Sequence, residues 1–142
     1  ILGGIGGVWR GMTQAVIAVL WAGLGSAAGG VARFFLSNLV ARQFGESFPW
    51  GTLAVNVSGA FAIGLAAALA ANGALPGMPV TWQALVAGFL GGYTTVSSFS
   101  LQTLALPQDG ALGRASGNVA AWLGAGLFAV YLGYAAGAAA WG

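Results

Sequence analysis

The chain has 142 residues, of which 58% are hydrophobic and 4% charged, and its formal net charge is +2. Typical globular proteins carry roughly 25% charged residues, and four arginines with two acids cannot cover a water-facing surface, so the surface faces lipid. The chain has no cysteine and no histidine, which excludes disulfides, thiolate chemistry, zinc-finger ligation and histidine acid–base catalysis, and scattered arginines make no nucleic-acid footprint.

A spanning helix needs about 20 mostly apolar residues, and the apolar runs predict an all-α membrane protein of one domain, 1–142, with four spans. Residues 1–12 are glycine-rich and lack the n-region and cleavage site of a signal peptide; they read as a flexible or interfacial leader. The first span covers about 13–40, with Arg33 inside its far end, and an interruption over 41–50 holds Arg42, Glu46 and Pro49. The second span, 51–71, has Thr52, Asn56 and Ser58 as its polar residues. Asn72-Gly73, Pro76-Gly77 and Pro79 are turn chemistry and place a loop over 72–81. The third span is 82–106, a loop over 107–116 carries Asp109-Gly110 and Arg114, and the fourth span is 117–141. Trp9, Trp50, Trp82 and Trp141 fall near span ends, as in an interfacial belt, whereas Trp21 and Trp122 lie inside spans. Arg10 is on one side of this arrangement, and Arg42 and Arg114, with Arg33 near them, are on the other. A bias of three arginines to one is small enough to allow insertion either way up.

Polar residues inside a bilayer are costly and mark a partner or a pathway. Seven hydroxyl-bearing residues lie between Tyr93 and Thr103, directly after Gly91-Gly92. Two glycines followed by two β-branched threonines weaken a helix, and a third span broken at its centre is expected. Irregular backbone at that depth is tolerated only inside protein or against a water-filled cavity. Carbonyls of the first half-helix suit a cation, and N–H groups opening the second suit an anion. In the second span, Thr52 and Asn56 are four apart and share a face. A buried Asn offers uncharged donors that bind an anion without trapping it, or else makes an interhelical hydrogen bond. Arg33 follows a small-residue face, Gly25 to Gly30, that permits close helix contact. It is either a snorkelling anchor or a permanent positive charge at a vestibule.

Three stretches carry a family resemblance: Gly25-x3-Gly29-x3-Arg33; Phe48-Pro49-Trp50-Gly51-Thr52-Leu53-x2-Asn56-x2-Gly59; and Gly88-Phe89-Leu90-Gly91-Gly92-Tyr93-Thr94-Thr95-x-Ser97-x-Phe99-Ser100. In this order and spacing the chain resembles the bacterial fluoride channels, the Fluc or CrcB family. The resemblance implies a passive fluoride-selective channel in the cell inner (plasma) membrane, not an enzyme. It implies an antiparallel dual-topology dimer, homomeric or paired with a paralogous subunit. It also implies a structural sodium ion at the dimer centre, held by the backbone carbonyls of Gly91 and Thr94. Thr52, Asn56, Ser97, Ser98 and Phe99 are the implied pore positions, with Arg33 and Gln102 as further pore candidates.

Several positions depart from the family pattern. The first of two phenylalanines three apart is Val96 here, leaving Phe99; a common glutamate is Gln102. The segment 117–142 contains no serine or threonine and carries Trp122. These changes keep a second reading open, a non-conducting or structural partner subunit. A cation channel with a carbonyl filter is a third, disfavoured by the glycine spacing and by the lack of an acidic ring.

Overall fold

A computed structural model describes residues 2–45, 48–75, 78–105 and 112–142, and every element in them is helical. The first helix, α1, is Leu2–Phe44 and the second, α2, is Trp50–Ala71. The third span opens with α3, built of the α-helical turn Met78–Thr81, a π-helical stretch Trp82–Leu90 and a last α-helical turn Gly91–Tyr93. After a two-residue break comes α4, Val96–Ala105, and the chain ends in α5, Leu112–Trp141. By length and composition, four helical segments can cross a membrane: Gly7–Phe44, Trp50–Ala71, Pro79–Ala105 and Ala115–Trp141.

Three expectations from the sequence are corrected here. Residues 2–12 are not a separate leader but the first three turns of α1, which is 43 residues long. At 1.5 Å per residue α1 measures about 65 Å, twice the thickness of a hydrocarbon core. Glycines alone did not interrupt it, because an interior glycine costs only about 1 kcal/mol against alanine. The loop over 72–81 is also shorter than expected, since the helix begins at Met78 with Pro79 in its first turn, where proline's missing N–H breaks no bond. Likewise α5 starts at Leu112, inside the expected loop. Glu46, Pro76-Gly77, Pro107 and Asp109-Gly110 lie outside the described residues.

The helix ends follow local chemistry. Gly73 has φ +66° and donates its N–H to Ala70 O, while Ala74 N–H reaches Leu69 O at 2.8 Å. These two bonds form a Schellman cap at the Asn72-Gly73 turn. Gly45, with φ +79°, closes α1 through a single bond from its N–H to Ala41 O at 2.9 Å.

Packing is by small residues, as lipid supplies no hydrophobic drive between helices. α1 lies on α3: a Cβ at Gly25 or Gly29 would meet the carbonyls of Ala84 or Phe89, and one at Gly92 would meet Ser26 O. α2 lies on α5, with Gly64 against Val130 O and Gly133 against Phe61 O. The α1–α3 and α2–α5 pairs meet where α2 crosses α1, at Gly51 against Ser37. That contact sets Thr52 and Asn56 of α2 beside the break in the third span.

Candidate functional site at the helix break

The break is residues Thr94 and Thr95, and its geometry follows from competition for hydrogen bonds. Thr94 is extended, with φ −80° and ψ 159°. Both its N–H (3.0 Å) and its Oγ1 (2.9 Å) donate to Leu90 O, closing off the first half-helix. In a continuous helix the Thr95 N–H would bond to Gly91 O; here it donates to Asn56 Oδ1 at 2.9 Å. Asn56 Nδ2 returns a bond to Thr95 O, also at 2.9 Å. Asn56 and Thr95 are 7% and 8% exposed, so this reciprocal pair satisfies backbone groups that water cannot reach.

The second half-helix is capped by the break itself. Thr95 Oγ1 accepts the Ser98 N–H at 3.2 Å, a side-chain N-cap three residues ahead of an orphan donor. Its hydroxyl also lies 3.1 Å from Ser97 Oγ and donates to Ser98 Oγ at 3.2 Å. Arg33 reaches in from α1, donating from Nη1 to Thr94 O at 3.4 Å. No carboxylate approaches this arginine among the described residues. The Thr94–Thr95 backbone is therefore held by Asn56 from α2 and Arg33 from α1.

Two cavities flank the break. One of about 390 Å³ gathers Gly30, Arg33, Ser37, Thr52, Thr95 and Ser98. The other, about 540 Å³, is mostly apolar and takes Asn56, Gly91, Thr94, Thr95, Val96 and Trp122 into its lining. Thr95 belongs to both. Arg33, Thr52 and Ser98 thus come together on one side, and Asn56 with Gly91 and Thr94 on the other. Ser97 and Gln102 are exposed and join neither lining. Phe99 is stacked on Trp122, ring centroids 4.8 Å apart and planes 20° from parallel. No cluster of His, Cys, Asp or Glu able to hold a metal is present among the described residues, so a cation at the break would meet carbonyl and hydroxyl oxygens.

Sequence reasoning did not single out Thr95, although it is the pivot of the site. Its signal was there: a threonine opening a run whose third following residue has an N–H to cap. It also missed three supporting contacts. Tyr93 OH and Ser58 Oγ are 2.7 Å apart across α2 and α3. Asn118, 2% exposed, donates to Thr103 Oγ1 at 2.6 Å, and Thr103 donates to Phe99 O at 2.7 Å. The Phe99–Trp122 stack accounts for a tryptophan inside the fourth span.

Comparison with known proteins places these features in a family. Residues 20–134 match the family described as CrcB-like protein, Camphor Resistance (CrcB). A protein of Rhodopseudomonas palustris named Fluoride-specific ion channel FluC 2 is 57% identical over 126 residues, 88% of this chain and 96% of its own. Fluoride-specific ion channel FluC of Opitutus terrae is 53% identical over 118 residues, covering 82% of this chain and 89% of its own. Fluoride-specific ion channel FluC 3 of Brucella suis is 49% identical over 122 residues, 85% of this chain and 90% of its own.

Proposed function

Because this chain belongs to the CrcB family, we propose that it is a passive, fluoride-selective channel. It is a multi-pass membrane protein with four spans, and its relatives are named as ion channels, not enzymes. The observation that carries the reading is the Asn56–Thr95 pair. It keeps a helix open in mid-membrane with neutral groups, and one Asn56 N–H is left over after its bond to Thr95 O.

Fluoride is small and strongly hydrated, so a selective path must replace water with donors while holding no countercharge that would trap the ion. Arg33, Thr52 and Ser98 serve as a positively biased vestibule around the smaller cavity. Asn56 offers its free N–H, and Ser97 and Ser98 their hydroxyls. Phe99 presents a ring edge, the positive part of its quadrupole. Gln102, exposed at the far end of α4, stands as a mouth residue. The chain as a whole is one channel domain, and efflux through it runs down the fluoride gradient across the inner membrane.

A sodium ion at the break fits the donor set. Diverting the Thr95 N–H to Asn56 deprives Gly91 O of its helical partner, and Thr94 O has only the long contact from Arg33. Gly91 and Thr94 line the same cavity, and their carbonyls would hold the ion, whose positive charge would steady the broken backbone. The exposed Val96, Leu123 and Leu127 beside that cavity provide an apolar face for a second subunit. The three-to-one arginine bias supports an antiparallel, dual-topology pair. Relatives named FluC 2, FluC 3 and FluC 4 carry numbers, which suits hosts with more than one such chain and keeps a heterodimer in view. Val96 favours the second reading, a partner subunit that conducts little alone.

Liposomes loaded with fluoride and carrying the purified chain test the proposal. Fluoride-selective efflux, with chloride retained, is expected; no efflux from the chain alone but efflux with a paralogous chain points to the partner-subunit reading. No fluoride efflux in either arrangement refutes both.

A further inference from the structure

One donor near the break is unused. Trp122 Nε1 is buried and has no hydrogen-bond partner among the described residues, whereas roughly 90% or more of buried polar groups are paired. Trp122 lines the larger cavity together with Asn56, Thr94, Thr95 and Val96, and its ring is stacked on Phe99. The neighbouring polar side chain of α5, Asn118, is committed to Thr103, and Tyr131 and Tyr134 are exposed. The α5 wall of this cavity otherwise consists of Leu123, Gly126, Leu127 and Val130.

From these contacts we infer that the indole N–H of Trp122 is an anion-binding donor in this chain, contributing the polar contact to fluoride that an otherwise apolar α5 does not offer. The inference rests on the channel reading and adds a specificity residue to it. An indole N–H donates and cannot accept, so it stabilises an anion and gives nothing to a cation. It is sealed from water, so an ion that meets it, with a small shift of the Phe99–Trp122 stack, has shed its hydration. A hydrogen bond made in so dry a place is stronger than one in water. The position beside Val96 matters as well: where one aromatic edge is missing, a neutral donor on the facing element takes up the task.

The test pairs a flux measurement with a direct probe of the N–H. Trp122→Phe keeps an aromatic ring to stack on Phe99 while removing the donor and part of the ring volume. Liposomes with this variant should release fluoride about tenfold or more slowly than the unaltered chain, the loss expected for one hydrogen bond to a charged group. In the ¹⁵N-labelled unaltered chain, the Trp122 indole resonance, identified by its disappearance in the variant, should move on titration with sodium fluoride and stay still with sodium chloride. A variant that conducts as fast as the original, or faster, would overturn the inference and make Trp122 a plug or a packing residue. Slow flux with an indole resonance that ignores fluoride would overturn it too, by showing that only packing was lost. If the unaltered chain carries no fluoride, the channel reading fails, and the titration alone decides whether Trp122 binds the anion. If Trp122→Phe does not fold, Trp122→Tyr identifies the resonance instead, and the same titration decides.

Discussion

Replacing Asn56 by aspartate changes one nitrogen to oxygen and tests how the break is held. In the native chain Asn56 accepts from the Thr95 N–H and donates to the Thr95 carbonyl, both at 2.9 Å. The aspartate keeps the first bond. Its second oxygen faces the Thr95 carbonyl oxygen, so an attraction becomes a repulsion and a buried carbonyl loses its donor. An unsatisfied buried partner costs about 1–3 kcal/mol, and an unpaired charge beside it raises the total to about 3–5 kcal/mol. At 1.4 kcal/mol per factor of ten, the correctly held break falls by roughly two to three and a half orders of magnitude relative to alternatives. A carboxylate in the path also repels an anion outright. The expected outcome is therefore loss of fluoride efflux from liposomes, with the chain still expressed and eluting as the native assembly, because the α1–α3 and α2–α5 contacts do not involve this residue. Native-rate efflux from a verified Asn56→Asp preparation would refute both the clamp and the pore role.

Three further outcomes are expected. Gly29→Ala puts a Cβ against the Phe89 carbonyl and should lower the thermal midpoint of the purified chain, since overpacking costs typically 1–3 kcal/mol, while the adjacent Gly30→Ala, with open space around it, should hold or raise the midpoint, because alanine is favoured over glycine in a helix interior by about 1 kcal/mol. A Cβ at Gly91 would meet nothing within 4 Å in a single chain, so Gly91→Val should largely spare folding; reduced dimer on crosslinking and reduced flux are expected if the break sits at a subunit interface, and an intact dimer would exclude that placement. Val96→Phe supplies the missing second ring edge next to the larger cavity and should speed fluoride efflux, whereas unchanged efflux would mean that this position does not contact the ion.

Much of the fold was legible because its signals are local. Four apolar runs, the Asn72-Gly73 turn and the Gly91-Gly92-Tyr93-Thr94-Thr95 break are each written within a few residues. The helical start of the chain was not, because glycine in an otherwise apolar stretch weakens a helix without ending it, and Thr13, a capping residue type at that junction, instead donates its hydroxyl back to Trp9 O at 2.9 Å. The π-helical turns over Trp82–Leu90 have no sequence marker in this chain. Within the site, the motif residues were identified but their pairing was not. That Thr52 and Asn56 share a face is a property of one helix; that Thr52 looks to Arg33 and Ser98 while Asn56 holds Thr95 depends on how α2 crosses two others. Trp122 of α5 pairs with Phe99 of α4, and only the packed chain brings these two helices together.

The division of labour around Thr95 explains why so few charges are needed. A broken helix in a bilayer leaves donors and acceptors that must be answered without water. Charged groups would answer them strongly, but each would bind the passing ion or its counterion and slow transit. Here the Thr95 N–H and carbonyl are met by one neutral carboxamide, and the following turn is met by the Thr95 hydroxyl. A fixed charge, Arg33, contacts the neighbouring Thr94 carbonyl and lines the smaller cavity. On the proposed reading it would bias entry toward anions, and it is not in the lining of the larger cavity. Neutral clamps and an arginine at the edge suit a path for a hard, strongly hydrated anion: enough donor capacity to replace its water, and no charged side chain in the lining of the larger cavity to hold it.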